Sequence, residues 1–264
     1  MQNPILANLK LKIMTRSKLL YGIALMVLAF VILFIGWDVQ KRRNAQRKMQ
    51  KQSQSAMTQS IEGVVSVSSQ CVGDITFYPS DRNEVVYNYD TEIYTNNSRM
   101  EGRELILDFS NDNFGFFHIM EDQKLEVNIY SNHIEQIIQQ GVGQISSEGP
   151  LKSEKMKLVN DGTGSMHIAI NCLYLDVTNS GVGSIHLEGT ADEAKIINDG
   201  TGSIKAGKLM TKILNAENTG VGSMDIYASD TLSMINDGVG SIHYSGNAFI
   251  KIKVEEGVGS IQKD

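Results

Sequence analysis

Apolar residues follow three patterns along the 264-residue chain, and each pattern predicts a different kind of element. Residues 19–37, LLYGIALMVLAFVILFIGW, form an unbroken apolar run without a charge. At about 1.5 Å per residue, a helix of this length nearly matches a hydrocarbon core about 30 Å thick. A single transmembrane helix is expected there, with Tyr21 and Trp37 at the interfaces. A cleaved signal peptide is the rival reading. The run is long for one, and Asp-Val-Gln-Lys-Arg-Arg follows it instead of a small-residue cleavage site.

From Ile61 to Val142 the period falls to two. The segments VVSVSS (64–69), DITFY (74–78), EVVYNYDTEIY (84–94), ELILDF (104–109) and KLEVNIY (124–130) read as strands. Turn formers such as Pro79-Ser80-Asp81 and Asn96-Asn97-Ser98 separate them.

The third pattern is a repeat. The first glycine of a G-x-G falls at Gly141, Gly162, Gly181, Gly200, Gly220, Gly238 and Gly257, at spacings of 18 to 21 residues. A near-constant period of this size predicts a solenoid, in which each unit buries its apolar face only against its neighbours. Glycine recurs two positions later, as at a tight corner that demands positive φ or leaves no room for a Cβ. Ser usually follows, then an apolar residue: Ile145, Met166, Ile185, Ile204, Met224, Ile242, Ile261. That column is expected to point inward. Before the corner stand Asn160, Asn179, Asn198, Asn218 and Asn236. If rungs stack about 4.8 Å apart, these amides form a ladder that satisfies polar groups buried at the corner. Copies alternate between an NDG and an (S/T)GVG class, so a coil is one repeat of about 19 residues or a pair of about 38; a strand, corner, strand and return turn already fit in the shorter unit.

The S/D-G-V/T-G-S-I pattern, its period and the strand-rich lead-in resemble the auto-transporter adhesin head domain called the GIN domain, common in Bacteroidetes, over about residues 61–264. The resemblance implies an all-β chain folded as a right-handed parallel β-helix, and an exported, adhesin-like protein held by a lipid anchor or membrane segment. It carries no catalytic motif onto this sequence.

Charge divides the chain as hydropathy does. Residues 1–60 hold ten Lys/Arg against the single acid Asp38, which leaves fourteen basic and 29 acidic side chains for the rest. So acidic a body is repelled by phosphate backbones, and nucleic acid is excluded as a partner. The expected organisation is a basic flank (1–18), a transmembrane helix (19–37), a polar basic linker (38–60) and a β-helix (61–264) with G-x-G repeats from 141. Positive charges flank the apolar run on both sides, with Lys41, Arg42, Arg43, Arg47, Lys48 and Lys51 beyond it. The count slightly favours a cytoplasmic body. Large C-terminal domains, however, translocate largely regardless of charge, and an outward body is the expectation adopted.

Candidate chemistry is sparse. His167, His186 and His243 share one repeat column, with Lys205 and Asp225 between them; an outward polar column is favoured over a metal site. Asp161, Asp199 and Asp237 read as turn caps, because no second Asp follows as a calcium ladder requires. No nucleophile-elbow, phosphate-loop or zinc-protease motif is present. No catalytic residue, cofactor or metal ligand is assigned. Cys71 and Cys172 are left open between a disulfide and two buried thiols. Rings at Phe77-Tyr78, at Tyr87, Tyr89 and Tyr94, and at Phe114, Phe116 and Phe117 are candidates for sugar stacking, with core packing the commoner use. The function expected is a non-enzymatic, membrane-anchored, extracytoplasmic adhesin-like module that binds a glycan, protein or envelope component. A cytoplasm-facing solenoid that self-associates through its terminal coil is the alternative, and a carbohydrate-active β-helix enzyme the weaker one.

Overall fold

A computed structural model describes residues 41, 56–91, 93–111 and 125–264. The basic flank at 1–18 and the apolar run at 19–37 lie outside the described residues, as do Phe114, Phe116 and Phe117. Among the described residues no helix is long and apolar enough to cross a membrane. Among the described residues, the unit Ser55–Asp264 is all β.

The repeats build ten strands: β10 (Gln136–Gln139), β11 (Val142–Ser147), β12 (Leu151–Asn160), β13 (Thr163–Asn179), β14 (Ile185–Asn198), β15 (Ile204–Asn218), β16 (Met224–Asn236), β17 (Ile242–Ser245), β18 (Phe249–Glu255) and β19 (Ile261–Lys263). Equivalent residues of successive copies pair in parallel, Asn160 opposite Asn179, then Asn198, Asn218 and Asn236. One coil is therefore one repeat, and the two-class alternation is a sequence feature laid over identical turns. The Ile/Met column after each corner is buried throughout, as is the column Leu158, Val177, Ile196, Ala216 and Met234 on the strand before it. Burying each Ile or Met contributes about 1.5–3 kcal/mol, but only because the coils above and below exclude water.

The lead-in is not a separate layer. Its strands are β1 (Ala56–Ser60), β2 (Ser66–Ser69), β3 (Asp74–Tyr78), β4 (Glu84–Asn88), β5 (Thr95–Asn96), β6 (Arg99–Glu101), β7 (Glu104–Leu107), β8 (Phe109–Ser110) and β9 (Glu126–Tyr130). β2 pairs in parallel with both β7 and β10, and β3 with both β9 and β11. The solenoid thus begins well before Gly141, and it begins out of order: the β2–β3 rung lies between the later β7–β9 rung and the β10–β11 rung. Cys71-Val72-Gly73 makes its corner, with Val72 bridged to Val142. A G-x-G search misses this copy because Cys71 stands where the other copies have their first glycine.

Antiparallel strands close this end. β6 covers the free edge of β7, β4 covers that of β9, and β1 pairs with β4. The expected linker boundary at residue 60 is thereby corrected, because the last five linker residues are β1. Gln59 and its neighbours lack an apolar face, yet an outermost strand needs only backbone hydrogen bonds on one side.

Candidate binding faces of the solenoid

The corners show why glycine recurs. A Cβ at Gly200 would lie 2.2 Å from the carbonyl oxygen of Gly181 in the preceding coil. At Gly202 the backbone has φ of +146°, and a Cβ would lie 1.9 Å from Gly183 O. Gly141, Gly162, Gly181, Gly220, Gly238 and Gly257 all sit, like Gly200, against the backbone of the coil before them. Between each glycine pair a β-branched residue points out, so Val142, Val182, Val221, Val239 and Val258 form an exposed row with Thr163 and Thr201.

Behind the corners runs the amide column. Asn160 Nδ2 donates to Asn179 Oδ1, Asn179 to Asn198, Asn198 to Asn218 and Asn218 to Asn236, each at 2.8 Å. Asn236 Nδ2 also donates to Gly240 O at 2.9 Å, tying the column to its corner. All five residues are buried. The column starts imperfectly: Gln139, opposite Asn160, donates to Gly143 O, while its own Oε1 and Asn160 Oδ1 find no partner. It ends at Glu255, opposite Asn236, whose carboxylate accepts the Ile261 N–H at 2.7 Å and pairs with Lys253 at 3.1 Å. The Ile261 N–H first, and then Lys253, hold the Glu255 carboxyl below the usual carboxylate range. The glycines thus pack against, and the asparagines bond to, the neighbouring coils.

Two outward faces carry the remaining chemistry. On the strand before the corner, Lys157, Asp176, Lys195 and Asn215 stand in register. On the strand after it the column runs Thr76, Ser146, His167, His186, Lys205, Asp225, His243, Gln262. His167 and His186 stack face to face, with centroids 4.3 Å apart and planes at 9°. Burial, then His167, then Lys205 lower the His186 pKa from its ordinary value, so this imidazole is neutral near pH 7. The stack borders a depression of about 670 Å³. Among the described residues no three His, Cys, Asp or Glu side chains converge as a metal cluster. Asp161, Asp199 and Asp237 lie exposed at the corners, where Thr219 Oγ1 donates to Asp199 at 3.0 Å.

The described lead-in aromatics pack against the core or one another. Phe77 and Tyr87 are fully buried, and burial pushes the Tyr87 hydroxyl up to about 12. Tyr89 packs edge-on against Phe109, and Tyr78 stacks on Tyr130 at 4.8 Å with the Arg82 guanidinium over the far ring. Cys71 and Cys172 are free and buried. Burial raises both thiol pKa values, that of Cys172 to about 11.

Residues 72–248 match the family described as "Putative auto-transporter adhesin, head GIN domain". The chain belongs to this family. The likeness extends to solved structures. A "putative adhesin" from Bacteroides fragilis NCTC 9343 superposes with a TM-score of 0.71 at 26% identity, covering 79% of this chain and 96% of that one. A "putative adhesin" from Parabacteroides distasonis ATCC 8503 gives a TM-score of 0.59 at 19% identity, covering 79% and 96%. A "putative lipid binding protein" from the same strain gives 0.55 at 17%, covering 78% and 96%. The last two likenesses speak for the fold alone. No curated protein matches the chain. In this GIN-family chain the most regular residues, the glycines and asparagines, meet neighbouring coils, whereas the outward columns vary from rung to rung.

Proposed function

We propose that this protein is a non-enzymatic, membrane-anchored binding module whose GIN domain, a right-handed β-helix, stands outside the cytoplasm and presents its stacked faces to a glycan, protein or envelope component. The observation that carries this reading is membership of the adhesin-head family across residues 72–248. The arrangement of side chains supports it. Parallel coils turn variable outward residues into straight columns, with about 4.8 Å between successive members, an array suited to extended contact. The basic flank at 1–18, the helix at 19–37 and the linker from 38 are part of this proposal, with the apolar run as the anchor. The linker there ends before β1.

The alternative places the solenoid in the cytoplasm, where it self-associates through its last coil. Phe249, 72% exposed on the outermost strand β18, favours contact at that end. Lys253 and Glu255 oppose it, because they occupy positions in register with buried Met234 and Asn236 and put charge where a stacking partner would need an apolar surface.

Topology separates the two. A reporter active only outside the cytoplasm is fused after Asp264, with a cytoplasm-active reporter as control, and protease access is measured on intact cells and spheroplasts. Outside activity with protease-sensitive coils is the expected result. Activity only inside would overturn the adhesin-like reading and turn attention to the basic residues between Lys41 and Lys51.

A further inference from the structure

The depression beside the stacked histidines has a geometry that the repeat itself does not require. His167 and His186 are register partners one rung apart, so their stacking direction runs along the solenoid. One face of His167 is therefore covered by His186. The opposite face looks over the preceding rung, where the register partner is Ser146, too small to cover it. Two residues to either side of Ser146, and so on the same outward face, stand Gln144 and Glu148, both exposed. Ala169, two residues beyond His167, keeps the floor low.

We propose that this notch is a subsite for one pyranose ring of a neutral glycan, with the free face of His167 as the stacking platform. The proposal rests on the binding-module reading above and names its ligand class. A sugar presents both an apolar C–H face and a belt of hydroxyls. The imidazole supplies a flat surface for the first, held in place by its partner. For the second, Gln144 offers an amide donor and acceptor, Ser146 a hydroxyl, and Glu148 two acceptor oxygens that suit a vicinal diol. The strand bearing them is tied down on both sides: Gln144 N donates to Asp74 Oδ1 at 3.1 Å, the Ser146 and Thr76 hydroxyls meet at 3.3 Å, and Ala169 N donates to Ser147 Oγ at 2.9 Å. The ligand is neutral because the charges around the depression offset one another: Glu148, Glu188 and Asp225 stand against Lys205 and Lys208, with Lys208 in register with Glu188.

The test uses the full chain in phosphatidylcholine nanodiscs free of glycolipid, with saturation-transfer NMR on methyl β-D-glucopyranoside, methyl β-D-galactopyranoside, methyl α-D-mannopyranoside and N-acetyl-D-glucosamine. Transfer to the C–H protons of one ring face is expected from at least one of them, in the millimolar range of a single-ring site. Ser146→Phe, which covers the platform, and His167→Ala, which removes it, are expected to weaken binding at least ten-fold. His167→Trp should restore it, and Lys195→Ala on the other face should change nothing. Unaltered thermal unfolding of each variant shows that the coil is intact. Silence from all four sugars, or transfer that survives both Ser146→Phe and His167→Ala, overturns the proposal. So does stoichiometric zinc binding by calorimetry that requires both histidines and occurs without sugar binding, which would give the notch to a metal. These results leave the topology result untouched. A subsite that fails on an outward-facing domain refutes the ligand class alone, whereas an inward-facing domain refutes the adhesin reading itself.

Discussion

The two ends of the solenoid solve the same problem by different means. A stack of parallel strands leaves unpaired backbone groups at its first and last rungs, and such edges invite association. At the N-terminal end the chain invests a whole subdomain: the β7–β9 rung is laid outside the β2–β3 rung that precedes it in sequence, and antiparallel β1, β4 and β6 cover what remains. At the other end, Lys253 and Glu255 take positions that are apolar or amide in every repeat coil before them, and Glu255 ends the asparagine column by accepting a backbone N–H. Closure through chain topology needs non-local pairing and irregular sequence. Closure through charge needs two substitutions in a repeat.

This contrast can be broken most severely at a glycine. Gly202→Ala, at positive φ and with a carbonyl in its path, is expected to lower unfolding free energy by on the order of 4 kcal/mol. Gly63→Ala in the lead-in, at φ +79° with nothing within 4 Å, should cost only about 1–2 kcal/mol. Urea unfolding of both variants checks this, and equal losses would mean that stacking contact does not distinguish repeat from lead-in. The amide column comes next. Asn198→Ala orphans a donor on Asn179 and an acceptor on Asn218 and should cost about 2–4 kcal/mol. Asn160→Ala orphans only the Asn179 acceptor and should cost about half as much. The same denaturation series reads both.

The charged end gives a smaller effect on stability but a visible one on assembly. Lys253→Leu combined with Glu255→Asn extends the buried pattern to the last rung, and light scattering in detergent should show greater association than the parent chain at equal concentration. No change in mass would show that these charges do not guard the edge. The smallest effect is a gain. Gln139→Asn would let the ladder begin one rung earlier by donating to Asn160 Oδ1, raising stability by about 1 kcal/mol in the same urea assay. A loss instead would mean that the Gln139 bond to Gly143 O is worth more than the missing rung.

Much of the repeat region was legible because every coil poses the same physical problem. The Ile/Met column marks the inner face, and the glycine pair marks a corner too tight for a Cβ. The lead-in was legible only as strands, since period-two alternation reveals a half-buried strand but not its neighbour. Cys71 hid the first corner, and Phe77 and Tyr87, which offered themselves as sugar platforms, are buried in the core. The His167 notch escaped motif reading for a related reason. Ser146, Gln144 and Glu148 are unremarkable until the register places them beside an uncovered ring.

By itself, then, the sequence determined the coil: its length, its inner and outer columns, its corners and its asparagines, because these follow from local sterics and from contact between identical neighbours. Only the tertiary structure decided the order of the first rungs, the closure of the two ends and the pairing of His167 with an open face, because each depends on which distant segments lie side by side, and hydropathy carries no record of that choice.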